Sequence, residues 1–202
     1  MVCIDMETKQ WKELPILNPE DGPGPVNSSA MCLVAYKERE VLQLSNVSEI
    51  QWDHVTQEIQ KEGIYVFGGL KGEQPDIRFK DNKLYMLSIG QKRHTWSVLK
   101  TNGRPPEARY QHTMHFLRHS NSILVVGGRK LGERNSTDLN AEFIRETHVL
   151  NVHTLDWSSL AIPGLPSMYN FASCLTDDGD LYIFGGTESP LTQSKKLLRI
   201  RE

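Results

Sequence analysis

Three apolar runs of strand length, each closed by a glycine pair, stand out from a largely polar chain. They are residues 64–69 (IYVFGG), 124–128 (LVVGG) and 181–186 (LYIFGG). Their last glycines, Gly69, Gly128 and Gly186, fall 59 and 58 residues apart. β-Branched and aromatic residues ending in glycine predict a buried strand and then a turn. The pairs Gly68–Gly69, Gly127–Gly128 and Gly185–Gly186 suit that turn, because glycine accepts positive φ and lets neighbouring backbone approach closely.

Two further patterns alternate with the first. The form W-x-x-L recurs at Trp11, Trp96 and Trp157, and residues 4–11 align without a gap on residues 150–157. Each copy reads as a strand, a short turn and a second strand led by the tryptophan. Ahead of the glycine pairs, residues 28–34 (SSAMCLV), 111–117 (QHTMHFL) and 170–176 (NFASCLT) superimpose column by column. Compact residues hold alternate columns there: Ala30, Thr113 and Ala172, then Cys32, His115 and Cys174. That composition suits the crowded strand nearest an axis. The unit is therefore four antiparallel strands, which bury little alone and must stack on neighbours to cover both faces.

A repeated four-stranded sheet with diglycine and tryptophan signatures resembles a β-propeller blade of the kelch family, whose fold includes the central domain of galactose oxidase. The resemblance covers nearly the whole chain. It rests on the three glycine pairs, the three tryptophans, and Arg109 and His112 in the form R-x-x-H at the entry to strand one. Val26 and Ser29, and Met168 and Phe171, stand in the Arg and His columns of the other copies. The spacing exceeds the roughly 50 residues usual for kelch, an excess assigned to long loops. The expected fold is all-β, a partial kelch propeller occupying residues 1–202 as one unit. Residues 1–14 supply part of a blade, 28–99 a blade with an insertion at 37–62, 110–160 a second blade, and 169–202 part of another. The inventory falls short of the four to eight blades of a closed ring. The missing blades are expected from a longer parent polypeptide or, less favoured, from a second copy.

The insertion reads as a charged loop with at most a short helix, around residues 48–61, where Ser48 and Gln51 have capping-box form. A partner-binding helix anchored by Trp52 is the alternative. The resemblance implies that the loops joining strands two and three share a face with the inter-blade segments, and that kelch domains bind peptides or protein surfaces there. These loops carry Arg78, Arg129, Lys130 and Arg134, with Arg104 on an inter-blade segment. Grouped arginines would capture an acidic peptide through paired hydrogen bonds. The same loops hold Glu73, Asp76, Asp81, Glu133, Asp138 and Glu142, so a neutral solvated face is the competing expectation. On the peptide-binding reading, reversing Arg78 and Arg129 abolishes capture and leaves the fold intact.

Composition narrows the class further. A net charge of -2 offers no footprint for nucleic acid, and no stretch of about 18 apolar residues marks a membrane span. Three scattered cysteines, Cys3, Cys32 and Cys174, favour a reducing, cytoplasmic setting. The sequons at Asn27, Asn46 and Asn135 are read as chance matches. His112 and His115 lie three apart on a strand and face opposite sides, which separates them as metal ligands. Phosphate-loop, nucleophile-elbow and H-E-x-x-H patterns are absent from the sequence. The expected function is a protein-binding scaffold or adaptor without cofactor or catalysis. Two readings compete with it: a propeller enzyme whose site lies on blades outside this sequence, and a truncated product without independent function.

Overall fold

A computed structural model describes residues 2–35, 61–71, 78–79, 82–89, 94–130, 142–189 and 192–201. Among them there is no α-helix, and one 3-10 turn covers Pro19–Asp21. The first sheet runs Ala30–Val34, Gly63–Phe67, Leu84–Ile89 and His94–Leu99, each strand antiparallel to the next. The second sheet repeats the order with Thr113–Leu117, Ser122–Val126, Thr147–Asn151 and Asp156–Leu160. A third carries Ala172–Leu175, Asp180–Phe184 and Leu197–Arg201. A separate hairpin pairs Val2–Asp5 with Gln10–Glu13. The fold is all-β and consistent with a partial kelch propeller, as the repeat predicts. The expected helix around 48–61, and Trp52 with it, fall almost wholly outside the described residues.

The period-two alternation of its strands lets the second sheet bury both faces, one against the first sheet and one against the third. Ala30, Cys32, Tyr65, Phe67, Leu84 and Met86 of the first sheet pack against Met114, Phe116, Ile123, Val125, Leu150 and Trp157 of the second. The opposite face of the second sheet, with Leu117, Leu124 and Val126, packs against Leu181 and Ile183 of the third. Residues of opposite parity on neighbouring sheets thus meet in each joint, as stacking of one sheet on the next requires.

Backbone contacts lock the joints at the glycine pairs. Gly68 has φ +67°, and a Cβ there would lie 2.3 Å from the Arg109 carbonyl and 2.7 Å from the His112 ring. Gly127 repeats this, 2.5 Å from the Met168 carbonyl and 2.8 Å from Phe171. The N–H groups of Gly69 and Gly128 donate to those same two carbonyls at 2.9 and 2.8 Å. A second ladder runs through Ser28, Gln111 and Asn170, which share one column and φ values of 54, 55 and 55°. Gln111 N–H donates to the Ser28 carbonyl at 2.9 Å, and Asn170 N–H to the Gln111 carbonyl at 3.1 Å.

The tryptophans do not share one environment. Trp157 is buried at 5% exposure, whereas Trp96 is half-buried and Trp11 is 69% exposed. Asn18 explains how the Trp96 strand is held: its side chain accepts from the Trp96 N–H at 2.9 Å and donates to the Trp96 carbonyl at 2.8 Å. Ile16 forms a parallel bridge with His94 on the same strand, and Gly22 packs on the Trp96 ring. At the next joint, Asn102–Gly103 joins Asp156–Leu160 in parallel.

Candidate functional site

Three short ladders carry one face of the molecule: Leu70–Lys71 with Arg78–Phe79, Arg129–Lys130 with Glu142–Phe143, and Thr187–Ser189 with Thr192–Gln193. Each begins directly after a glycine pair, so it forms the base of a loop joining strands two and three. Bridges between Asn27 and Leu70, Tyr110 and Arg129, and Tyr169 and Thr187 tie these bases to the inter-blade segments. Strand-two loops and inter-blade segments therefore emerge together, as the resemblance implied.

The cations expected on this face are placed unevenly. The Arg129 guanidinium lies between two tyrosine rings, 4.8 Å from the centroid of Tyr110 and 4.4 Å from that of Tyr169. Its Nε donates to Gln111 Oε1 at 2.9 Å. Phe143 extends the cluster, its ring centroid 5.2 Å from that of Tyr169. Arg129 thus spends its charge within the fold, bridging the entries to two successive sheets. Lys130 sits between Glu107 at 3.1 Å and Glu142 at 2.8 Å, and these carboxylates hold its pKa above the ordinary lysine value. Arg104 is exposed. Arg78 belongs to the strand Arg78–Phe79, while Arg134 and Trp52 lie outside the described residues.

Arg109 and His112 are interior residues. Arg109 Nη1 donates to the carbonyls of Gly127 and Glu146, both at 3.1 Å, and Nε to that of Glu107 at 3.2 Å. Burial pulls its pKa down to about 10, against the opposing pull of Glu146 and Glu107. Arg109 thereby ties a glycine-pair turn to an inter-blade segment and to the start of strand three. Burial, and then the charge of Arg109, push the His112 pKa down to about 3, with the Phe67 carbonyl opposing.

His115 faces the other joint. Its Nε2 lies 3.0 Å from Thr113 Oγ1 and 2.9 Å from Ser173 Oγ, and the two hydroxyls are 2.7 Å apart. Burial lowers its pKa. The serine–histidine pair has the spacing of an activated nucleophile, and burial is the cause of the lowered histidine pKa. The cluster reads as a polar clasp between sheets. Sequence reasoning missed it because Ser173 occupies the column of Met31 and Met114. The buried Cys32 thiol is pushed up to about 12 by burial, and Cys174 is exposed.

A groove of about 550 Å³ opens where the second sheet passes into the next inter-blade segment. Leu160, Ala161, Ile162, Leu165 and Pro166 form its apolar wall, and Arg145, Glu146, Thr147 and Ser159 its polar one. Burial, and then the charge of Arg109, lower the pKa of the buried His148, with Glu146 opposing. Residues 161–166 carry no repeat signature, so the repeat pattern left this groove unmarked. Among the described residues no helix is long and apolar enough to cross a membrane, and no cluster of three or more metal-binding side chains occurs.

Comparison with known proteins bears on this architecture. A family model described as the KLHDC2/KLHL20/DRC7 Kelch-repeats domain matches residues 54–199. A search of curated proteins gave no significant match. A chain from the cryo-EM structure of RAG in complex with one melted and one unmelted RSS aligns with TM-score 0.62 and 15% identity. The alignment covers 99% of this chain and 54% of that one, so this chain spans about half its length. The structure of YjhT aligns with TM-score 0.49 and 14% identity, covering 68% of this chain and 48% of that one.

Proposed function

This chain belongs to the kelch-repeat family, and from that premise we propose that it works as a protein-binding scaffold or adaptor rather than a catalyst. The groove beside Leu160 and Arg145 is the observation that carries the reading. Its volume of about 550 Å³ accommodates a few side chains of an extended segment, and it lies within the usual range for ligand pockets. The apolar wall takes the segment's apolar side chains, and Arg145 answers its acidic ones. Arg129 and Lys130 are occupied within the fold, so they contribute shape and rigidity, and the acidic preference moves to Arg145. The free thiols Cys32 and Cys174 support a reducing, cytoplasmic setting.

Selection from a displayed library of extended peptides tests the proposal. Selected peptides should carry apolar and acidic residues, and Leu160→Asp with Arg145→Glu should abolish their binding while the far-UV spectrum stays that of a β protein. Binding that survives both substitutions would move the site off this groove.

A further inference from the structure

The two joints between sheets are homologous in sequence and unlike in charge. In the first joint the second sheet presents Arg109, His112 and His148, buried at 0, 8 and 1% exposure. His148 shares the face of Leu150, which packs in that joint. Aligned on the glycine pairs, the third sheet holds Met168, Phe171 and Leu198 in the same three columns. Those three belong to the apolar cluster of the second joint. The histidine of the second joint, His115, instead meets the hydroxyls of Thr113 and Ser173.

Arg109 keeps its charge inside the first joint. Its guanidinium donates to the backbone carbonyls of Glu107, Gly127 and Glu146. After burial, its charge is the next cause that lowers the pKa of both His112 and His148. The carboxylates that oppose it at His148, Glu146 and Glu107, stand at the rim, each more than half exposed. Glu146 Oε2 lies 3.8 Å from His148 Nε2, and Glu107 is paired with Lys130 at 3.1 Å. Arg104 adds a further positive charge at His148. The first sheet meets the cluster with Phe67, edge-on to His112, and with Gly68 beside the same ring. Its titratable groups in the joint include Cys32 and Tyr65, two residues along from Ala30 and Phe67. Further along, the Lys61 ammonium donates to the His153 carbonyl of the second sheet's turn.

We propose that the joint between the first two sheets is an acid-sensitive latch, in which protonation of His112 and His148 beside Arg109 parts these sheets while each sheet keeps its own strands together. Closed, the joint holds both imidazoles neutral and away from water. Parted, it lets them take up protons, so opening is favoured as pH falls below the ordinary histidine value of 6.5. Two protonated rings inside the closed joint would stand beside the Arg109 charge, where burial makes like charges most costly. Opening breaks the backbone bonds from Gly69 N–H to the Arg109 carbonyl and from Gln111 N–H to the Ser28 carbonyl. The antiparallel ladders within the first and second sheets stay whole. In a stack of repeats each interface contributes its own share of stability, so one joint can weaken ahead of the other. Met168, Phe171 and Leu198 offer the second joint nothing to protonate in these columns. The latch does not depend on the groove beside Leu160.

Cys32 reports the opening, because it is buried in this joint, and Cys174 is an exposed reference in the same chain. The full chain is labelled with a pyridyl disulfide that reacts in acid, and each cysteine is followed by mass spectrometry between about pH 7 and 5. Relative to Cys174, Cys32 should be labelled about 25-fold faster at the lower pH from His112 alone, and faster still with His148. The acceleration should come with an unchanged far-UV spectrum and a shallow dependence on urea, the marks of local opening. His112→Phe places the residue of the second joint in the first, and it should take away that 25-fold factor, about the whole of the His112 share. His148→Gln should reduce the remainder, whereas His115→Gln, in the other joint, should leave the profile as it is. A Cys32 rate that stays level with pH relative to Cys174 overturns the proposal. So does acceleration that carries the full urea slope of global unfolding, or that persists in both His112→Phe and His148→Gln.

Discussion

His112 stands edge-on to Phe67 across the joint between the first two sheets, with ring centroids 5.8 Å apart and planes at 82°. The contact puts an ionisable ring where an aromatic would serve. Phe171 does serve in the equivalent place, against Gly127, at the next joint.

That substitution within the repeat contributes to the acid sensitivity of the fold. His112 titrates near 6.5 when unfolded and at about 3 when folded. Above pH 6.5 the ring is neutral in both states. Between those values the unfolded chain takes up a proton that the folded chain refuses, so stability falls as pH falls, by at most about 1.4 kcal/mol per unit. Burial lowers the pKa of His115 and His148 as well, and both push in the same direction. Urea unfolding between about pH 7 and 4 should therefore show a declining midpoint. His112→Phe should keep the fold and flatten that decline by up to one proton. An unchanged slope would place the titration elsewhere.

Trp157 and Trp11 share a signature and differ in fate. Trp157 is buried with its ring centroid 6.0 Å from that of Phe67, and Trp157→Ala should cost about 3–5 kcal/mol, as for large-to-small changes in a core. Trp11 is 69% exposed, and Trp11→Ala should change stability by less than about 0.5 kcal/mol in the monomer. Denaturant unfolding measures both. A loss below about 1 kcal/mol at Trp157 would mean that the joint is not a packed core.

The contrast shows what the sequence could and could not convey. Strand order and the glycine turns were legible because each repeats a local rule: alternation, a turn needing positive φ, and a tryptophan at a fixed column. Burial was not, because it depends on which sheet lies opposite. Trp11, Trp96 and Trp157 look alike along the chain, and only Trp157 has a complete neighbour. The polar clasp of His115 and Ser173 escaped for the same reason, since its partners are 58 residues apart and in unlike columns. Arginines on the loop face were readable as charges, and their partners were not.

Arg129 is where that last gap matters most. Its charge reversal was expected to leave the fold intact, on the view that the side chain faces solvent. The structure instead stacks the guanidinium between Tyr110 and Tyr169, rings that belong to the entries of two successive sheets. Each stack is a cation–π contact of about 0.5–2 kcal/mol, and a carboxylate there would face the negative faces of both rings. Arg129→Glu should therefore destabilise the protein by about 1–3 kcal/mol, before any peptide is offered. Lys130→Glu also inverts a charge on this face, but its ion pairs with Glu107 and Glu142 are exposed, and such pairs contribute less than about 1 kcal/mol. Arg129→Lys keeps the charge and loses the planar stack, so it should fall between the two. Urea unfolding of the three variants gives the order. If Arg129→Glu proves no more costly than Lys130→Glu, the guanidinium is a solvated charge, and it returns to the set of groups that meet an acidic partner.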